Sequence, residues 1–519
     1  MSRGSGRCLD ALTIALSQAC DTSHWYTSTL QLQQASVQLC TTCRKTSAWH
    51  LTVAEGTPAH LWAADDGSTH ACAEEDLDTK RPMAARVPVL RARKVTWKLP
   101  NLAPRCTAAS LSGVETFVFG ESFDQSLEEA VWPRALKTLS FERCFNPEAL
   151  KVRWPSTLRE VDLGFSFNAT IVGVSWPESL EKLRIGDAFN RPIDDVSWPA
   201  SLRELTLGWC FNQPIYRVSW PSSLQALTLG SKFNQPVTNV LWPRSLQVLT
   251  LGSNFDQPID FVAWPASLRE LSFGEYFNQP IGGVNWPRSL RRLIFGSYFD
   301  MAIDDARFPA SVEHISFGWY FNQPVAGVVW PVSLRHLTFG NEFDQPICRV
   351  LWPASLQQLV FGRLGGKFDQ AIDGVAWPSS LTELDLGSSF NHPIKGIAWP
   401  PSLQRLRFGC RFDQAIREAV WPASLASLEI GDGFNQPIAG TSWPTSLIRL
   451  AFGRRFLQPI DEVVWPASLR RLTFRSSLRW PQDGVAWPPS LRLLEVWGHP
   501  REPLPEIPNV VVRSLWKMI

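Results

Sequence analysis

The sequence predicts an all-β repeat solenoid, a stack of about seventeen coils of 22 residues each. Three observations carry this prediction. A Trp-Pro pair recurs every 22 residues along most of the chain. Between the pairs, apolar and polar residues alternate as they do in short, half-buried strands. Two prolines in each coil leave no room for an ordinary helix.

The Trp-Pro pair defines the period. It occurs sixteen times in phase, and Phe308-Pro309 takes its place once. Three extra residues between Arg363 and Gly366 displace the later pairs, after which the 22-residue step resumes. The tryptophans of the pair are Trp132, Trp154, Trp176, Trp198, Trp220, Trp242, Trp264, Trp286, Trp330, Trp352, Trp377, Trp399, Trp421, Trp443, Trp465 and Trp487. A fixed period of this length indicates a repeat array and not several independent domains.

One regular coil runs from Ser201 to Pro221. The alternation over Leu202–Gly208 predicts a strand, and Phe211–Ile215 predicts a turn because its Asn can bond its own backbone and its Pro fixes φ. We expect a second, shorter extended piece at Val218–Trp220, ended by the proline. Such a coil cannot cover its own apolar side chains, so stability requires that each coil stack on its neighbours.

The repeated Phe-Asn-Gln-Pro-Ile is intact at Phe211–Ile215, Phe277–Ile281 and Phe434–Ile438. Together with Ser-Leu-x-x-Leu-x-Leu/Phe-Gly, it resembles the FNIP repeat, a relative of the leucine-rich repeat. The resemblance covers roughly residues 110–500. It implies a leucine-rich-repeat-like solenoid used for protein–protein interaction, and several such proteins resemble substrate adaptors of ubiquitin ligases.

The period also predicts the domain organisation. Residues 1–95 contain no repeat and are predicted to form a small cap or a partly disordered segment. Residues 96–500 form the predicted solenoid, and residues 501–519 form a C-terminal cap or tail. Degraded repeats at both ends are typical of solenoids, whose exposed ends need capping.

The composition argues against several classes of protein. Fifty basic and 48 acidic side chains give a formal net charge of +2, so no overall charge attracts nucleic acid or an anionic membrane. No window approaches the roughly 18 consecutive apolar residues of a membrane-spanning helix. Ten cysteines are too few for a disulfide scaffold and fit a reducing compartment. We expect a cytoplasmic monomer with neither a nucleic-acid nor a membrane partner.

No motif points to catalysis. The chain has no glycine-rich phosphate loop, no Gly-x-Ser-x-Gly and no His-Glu-x-x-His. We therefore expect no enzyme activity, no catalytic residue and no cofactor. Cys40, Cys43, His70 and Cys72 have the right number of donors for a zinc site, although their spacing fits no established zinc motif. The favoured interpretation is that these cysteines are unrelated residues of a small or partly disordered N-terminal cap.

One outward column is mostly basic or amide. If Leu202, Leu205 and Leu207 point inward, the residues between them point outward and line up along the solenoid. The column contains the candidate partner-binding residues Arg203, Arg269, Arg291 and Arg335. It is either a solvated face that prevents edge pairing or a surface for an acidic protein. Glutamates in the neighbouring column argue against nucleic acid.

Aromatic residues that break the repeat are the sharpest binding candidates. Tyr276, Tyr298 and Tyr320 precede the repeat Phe in three consecutive coils, and Trp319 lies beside the last. Trp209 occupies the place equivalent to that of Trp319 in an earlier coil. Strand alternation predicts that the tyrosines point outward, where such residues are typical binding hot spots. Stacking between coils for stability alone is the other interpretation.

Together these features predict a non-enzymatic scaffold that binds a protein partner through the outward face of the solenoid. Two alternatives belong to other classes. The first is a substrate-recognition adaptor of a ubiquitin ligase, which requires a ligase-binding N-terminal segment. The second is a solenoid that binds carbohydrate or a surface, which predicts outward columns of one residue type.

Overall fold

The computed structural model describes residues 50–53, 93–97, 113–128, 130–148, 150–362, 365–476, 485–496 and 507–514. The chain divides into two compact units. The first extends to Gln213 and includes Arg217–Leu224, and the second comprises Pro214–Tyr216 and the chain from Gln225 onward. Every regular element of the described residues is a short β-strand, and none of these residues forms a helix that could span a bilayer.

Seven strands lie in the first unit, and each pairs in parallel with the next along the chain. They are β1 (His50–Val53), β2 (Lys94–Trp97), β3 (Thr116–Phe119), β4 (Thr138–Phe141), β5 (Glu160–Asp162), β6 (Lys182–Arg184) and β7 (Glu204–Thr206). Strand β1 lies within the segment predicted to precede the repeats, yet it pairs with β2 in the same parallel manner.

Fourteen strands lie in the second unit and also pair in parallel in chain order. They are β8 (Ala226–Thr228), β9 (Val248–Thr250), β10 (Glu270–Ser272), β11 (Arg292–Ile294), β12 (His314–Ser316), β13 (His336–Phe339), β14 (Gln358–Phe361), β15 (Glu383–Asp385), β16 (Arg405–Arg407), β17 (Ser427–Glu429), β18 (Arg449–Phe452), β19 (Arg471–Phe474), β20 (Leu493–Val496) and β21 (Val511–Ser514). The predicted parallel stack of about 17 coils, each of about 22 residues, is confirmed.

A coil of the second unit shows how the repeat folds. The apolar positions of the coil are buried, as Leu271, Phe273, Phe277 and Trp286 are in the coil of β10. Three backbone turns reverse the chain, at Gly274–Phe277, Ile281–Val284 and Pro287–Leu290. The repeat Phe rings stack from coil to coil, with centroids 6.0 Å apart between Phe277 and Phe299. The core is therefore a set of continuous apolar columns.

One local prediction is wrong. Phe211–Ile215 does not form a turn, and turns lie on either side of it. The Asn of this segment accepts a hydrogen bond from the next coil, as Asn278 does from the N–H of Asp300, and so its partner is not its own backbone. The piece before Trp-Pro contains no strand, and in the coil of β9 the N–H of Trp264 bonds the carbonyl of Val262 at 3.1 Å.

Two side-chain ladders tie consecutive coils together. The Asn278 Oδ1 accepts a hydrogen bond from the N–H of Asp300 at 2.9 Å. The same bond recurs along the column of Asn and Asp residues that follow the repeat Phe, here called the Asx column. The Ser289 hydroxyl donates to the carbonyl of Leu268 at 2.7 Å, and the equivalent serines do likewise. Both ladders satisfy backbone groups that the strands leave unpaired. The Asx column therefore has a structural role.

Candidate binding surface

Tyr276, Tyr298 and Tyr320 form a stacked row, here called the tyrosine ladder. The ring centroids of Tyr276 and Tyr298 are 4.9 Å apart with 11° between the planes. Those of Tyr298 and Tyr320 are 4.8 Å apart with 28° between the planes. Each side chain is between 41% and 47% exposed. The ladder is therefore both ordered by its own contacts and accessible to solvent.

The backbone places the ladder in turns beyond the strands. Strand β10 ends at Ser272, and Tyr276 occupies the turn in which the N–H of Phe277 bonds the carbonyl of Gly274. The N–H of Tyr298 bonds the carbonyl of Glu275 at 2.9 Å, which fixes the spacing of neighbouring coils. The outward orientation agrees with the prediction, but it comes from a turn and not from strand alternation.

The ladder presents ring edges and hydroxyl groups. Because the ring faces cover one another, the ligand-accessible parts of the central ring are its edge and its hydroxyl. The charge of Tyr320, burial, the charge of Tyr276 and a hydrogen bond with Tyr320 together raise the pKa of Tyr298. The Tyr298 hydroxyl therefore stays protonated at neutral pH and can donate a hydrogen bond to a partner.

Trp319 adds a fourth exposed aromatic ring to the same coils. Its side chain is 48% exposed, and its carbonyl accepts a hydrogen bond from the N–H of Glu342 at 2.9 Å. Trp209 is also exposed, at 57%, but it belongs to the first unit. The candidate aromatic surface of the tyrosine-bearing coils thus consists of the ladder and Trp319.

The predicted arginines lie at the other end of the strands. Arg269, Arg291 and Arg335 directly precede β10, β11 and β13, whereas the ladder follows β10, β11 and β12. Only Arg291 of these three has an ion pair among the described residues, with Glu313 at 2.7 Å. Arg203 is exposed and belongs to the first unit, whereas the three tyrosines belong to the second.

A histidine pair on the strands lies between the arginines and the tyrosine ladder. His314 and His336 are register partners on β12 and β13, and their rings stack at 4.1 Å with 9° between the planes. Both side chains are half-buried. Burial is the main cause that lowers the pKa of both imidazoles, and Arg292 adds to the effect. In the sequence, the signal for this contact is the 22-residue spacing of His314 and His336, which places them at the same position of adjacent coils.

The candidate zinc donors Cys40, Cys43, His70 and Cys72 lie outside the described residues. Within the described ranges, no group of three or more His, Cys, Asp or Glu side chains could hold a metal ion. The described cysteines Cys144, Cys210, Cys348 and Cys410 are free thiols.

Comparisons with known proteins agree with this architecture. The family model described as FNIP Repeat matches eight segments, the first at residues 167–210 and the last at 434–477, which together cover more than half of the chain. The crystal structure of CroV588, described as a novel circular leucine-rich-repeat protein, is similar at 34% identity with a TM-score of 0.71. The match covers 82% of this chain and 66% of that chain.

A chain of the Toll–Spatzle complex from Drosophila is similar at 12% identity with a TM-score of 0.53, over 78% of this chain and 63% of that chain. This likeness concerns the fold alone. The present chain spans less than two thirds of the length of either structure's chain. No curated protein matched the sequence.

Proposed function

Because the chain belongs to the FNIP repeat family, we propose that it is a non-enzymatic scaffold that binds a protein partner through the outward face of its coils. The proposed binding surface is centred on the tyrosine ladder and Trp319. One observation carries this proposal. These four large aromatic side chains are exposed in coils whose repeat Phe and Trp residues are buried.

The physical chemistry of the ladder suits a protein interface. Tyrosine combines a large apolar area with a polar tip and is enriched among the residues that contribute most to binding. Stacking already restricts the three rings, so little further conformational entropy is lost when a partner orders them. The ladder therefore supplies a preorganised apolar contact bordered by hydrogen-bond donors.

The two alternatives have less support. A carbohydrate-binding wall usually offers flat ring faces, whereas the faces within the ladder cover one another. The outward columns are also mixed, with Arg292, His314 and Gln358 in one of them. The ubiquitin-ligase adaptor depends on the first hundred residues, most of which lie outside the described ranges, and it remains a prediction.

The proposal is tested by partner capture with the full chain. The variant Tyr276→Ala/Tyr298→Ala/Tyr320→Ala should lose the proteins that co-purify with the wild type, as quantified by mass spectrometry. Each stacked pair contributes on the order of 1 kcal/mol, so the variant should remain folded with a modestly lower melting temperature.

The matched control changes three exposed residues at the same turn position of other coils, Lys232→Ala/Asn254→Ala/Arg411→Ala. It should keep the same partners. If the tyrosine variant retains every partner while its melting temperature falls, the ladder serves stability alone and the proposal is wrong.

A further inference from the structure

In several places on the outward face, charges are neutralised between neighbouring coils. There, a basic residue in one coil meets a carboxylate at the same column of a neighbouring coil, and both residues lie on adjacent strands or directly before them. Examples are Lys137 with Glu115, Arg159 with Glu181, Lys182 with Glu204, Arg291 with Glu313, and Arg405 with Glu383. Pairs of opposite charge directly across neighbouring strands stabilise a sheet.

The outward face of β18–β20 departs from this pattern. Arg449 and Arg471 are direct register partners. Arg470 and Arg492 are neighbours in the adjoining column, where the N–H of Arg492 bonds the carbonyl of Arg470 at 3.0 Å. All four side chains are exposed, and none has a carboxylate within ion-pair distance in the part of the chain that the structure describes. We call these four residues the arginine cluster.

The neighbouring coils do not offset this charge. The corresponding positions on the β17 side are Ala426 and Ser427. Beyond Arg471, the register partner on β20 is Leu493. Like charges directly opposite each other destabilise a sheet, so the cluster weakens the fold unless an anion covers it. Residues that are unfavourable for folding and accessible to solvent are candidates for binding.

We propose that the arginine cluster binds an acidic peptide segment of a protein partner, at a site separate from the tyrosine ladder. The guanidinium groups present forked donors that fit carboxylates in two-pronged hydrogen bonds. Ile448 adds an apolar contact, since it is 37% exposed and its carbonyl accepts the N–H groups of both Arg470 and Arg471. The preferred peptide therefore carries several carboxylates and a branched apolar side chain.

The surroundings of the cluster favour a peptide over nucleic acid. Outward carboxylates flank the cluster, Glu429 on β17 and Glu495 on β20. Arg475 and Arg407 form ion pairs with Glu429, whereas Glu495 accepts a hydrogen bond from the Thr473 hydroxyl and has no ion pair among the described residues. The evenly charged phosphate backbone of a nucleic acid would be repelled by the carboxylate of Glu495. A short peptide can instead place its own carboxylates on the arginines alone.

Fluorescence anisotropy with the full chain tests the proposal. The probe is a short fluorescein-labelled peptide of alternating Glu and Leu, and the control peptide has Gln in place of Glu. The Glu peptide should bind more tightly than the Gln peptide and should weaken as salt is added. Arg449→Gln/Arg471→Gln should lower its affinity by about tenfold or more.

The matched control variant, Arg159→Gln/Arg405→Gln, removes two outward arginines that have glutamate partners and should leave the affinity unchanged. The melting temperature of Arg449→Gln/Arg471→Gln should equal or exceed that of the wild type, because the substitutions remove the repulsion between two like charges on paired strands. A lower melting temperature would show that the cluster stabilises the fold and would overturn the proposal. Equal binding of the two peptides, or unchanged affinity in the cluster variant, would also overturn it. Tighter, cluster-dependent binding of labelled oligo-dT would assign the site to nucleic acid instead.

Discussion

Glycine follows the strand in most coils because the backbones of adjacent coils approach closely there. At Gly274, a Cβ atom would collide with the carbonyl oxygen of Gly252 and lie 2.8 Å from that of Ser253. Backbone atoms cannot move aside as the tip of a side chain can. Gly283 lies in another turn, where the nearest atom to a Cβ would be the Asp260 Oδ1 at 3.5 Å. Packing therefore requires glycine at position 274 but not at position 283.

The Gly274→Ala variant should therefore lose about 3 kcal/mol or more of unfolding free energy through overpacking. Gly283→Ala is the matched control and should change the unfolding free energy by less than about 1 kcal/mol. Urea denaturation of both variants provides the measurement. Equal stability of the two variants would contradict the close approach of the coils.

Single residues also show where sequence reasoning stops. The repeat Asn is predicted to bond its own backbone in a turn, but Asn278 accepts its hydrogen bond from Asp300 in the next coil. A residue pattern alone does not fix which coil supplies the partner. Nothing in the sequence distinguished the serine ladder from an ordinary polar position, although Ser289 bonds the preceding coil.

At the scale of the strand, the histidine pair on β12 and β13 makes stability depend on pH. Burial lowers the pKa of both imidazoles, so the folded chain binds fewer protons than the unfolded chain. Their contribution is fully present above the unfolded pKa of about 6.5 and is lost as the pH falls through the folded pKa values. The charged groups that act on the pair are Arg292, Arg335, Glu270, Glu313 and Glu383.

We expect the wild-type melting temperature to fall between pH ~7.5 and ~5.5, the range around the unperturbed histidine pKa. His314→Gln/His336→Gln should reduce that fall because no imidazole remains there to be protonated. His392→Gln is the control, since His392 replaces the repeat Gln and contacts the Asp369 carbonyl at 2.7 Å. Calorimetry at several pH values measures all three. Identical pH profiles for the wild type and the double variant would contradict this account.

At the scale of the whole molecule, the 22-residue period predicts the fold because each coil repeats the same inward residues. The outward face is less predictable, since its ion pairs and ring contacts depend on side-chain conformations in neighbouring coils. The sequence offers exposure and stacking of the three tyrosines as alternative interpretations, and the structure shows both at once. The arginine cluster is visible only when the paired charges of other coils, such as Arg291 with Glu313, are known.

The central claim, that a protein partner binds at the tyrosine ladder, is tested most directly by photocrosslinking from the full chain. A benzophenone amino acid is placed at Tyr298 or, for comparison, at Val329, which is 78% exposed beside the repeat Trp330. We expect a partner adduct from position 298 and none from position 329. An adduct from position 329 without one from position 298 would contradict the account, because it would place the partner on the Trp-Pro segment.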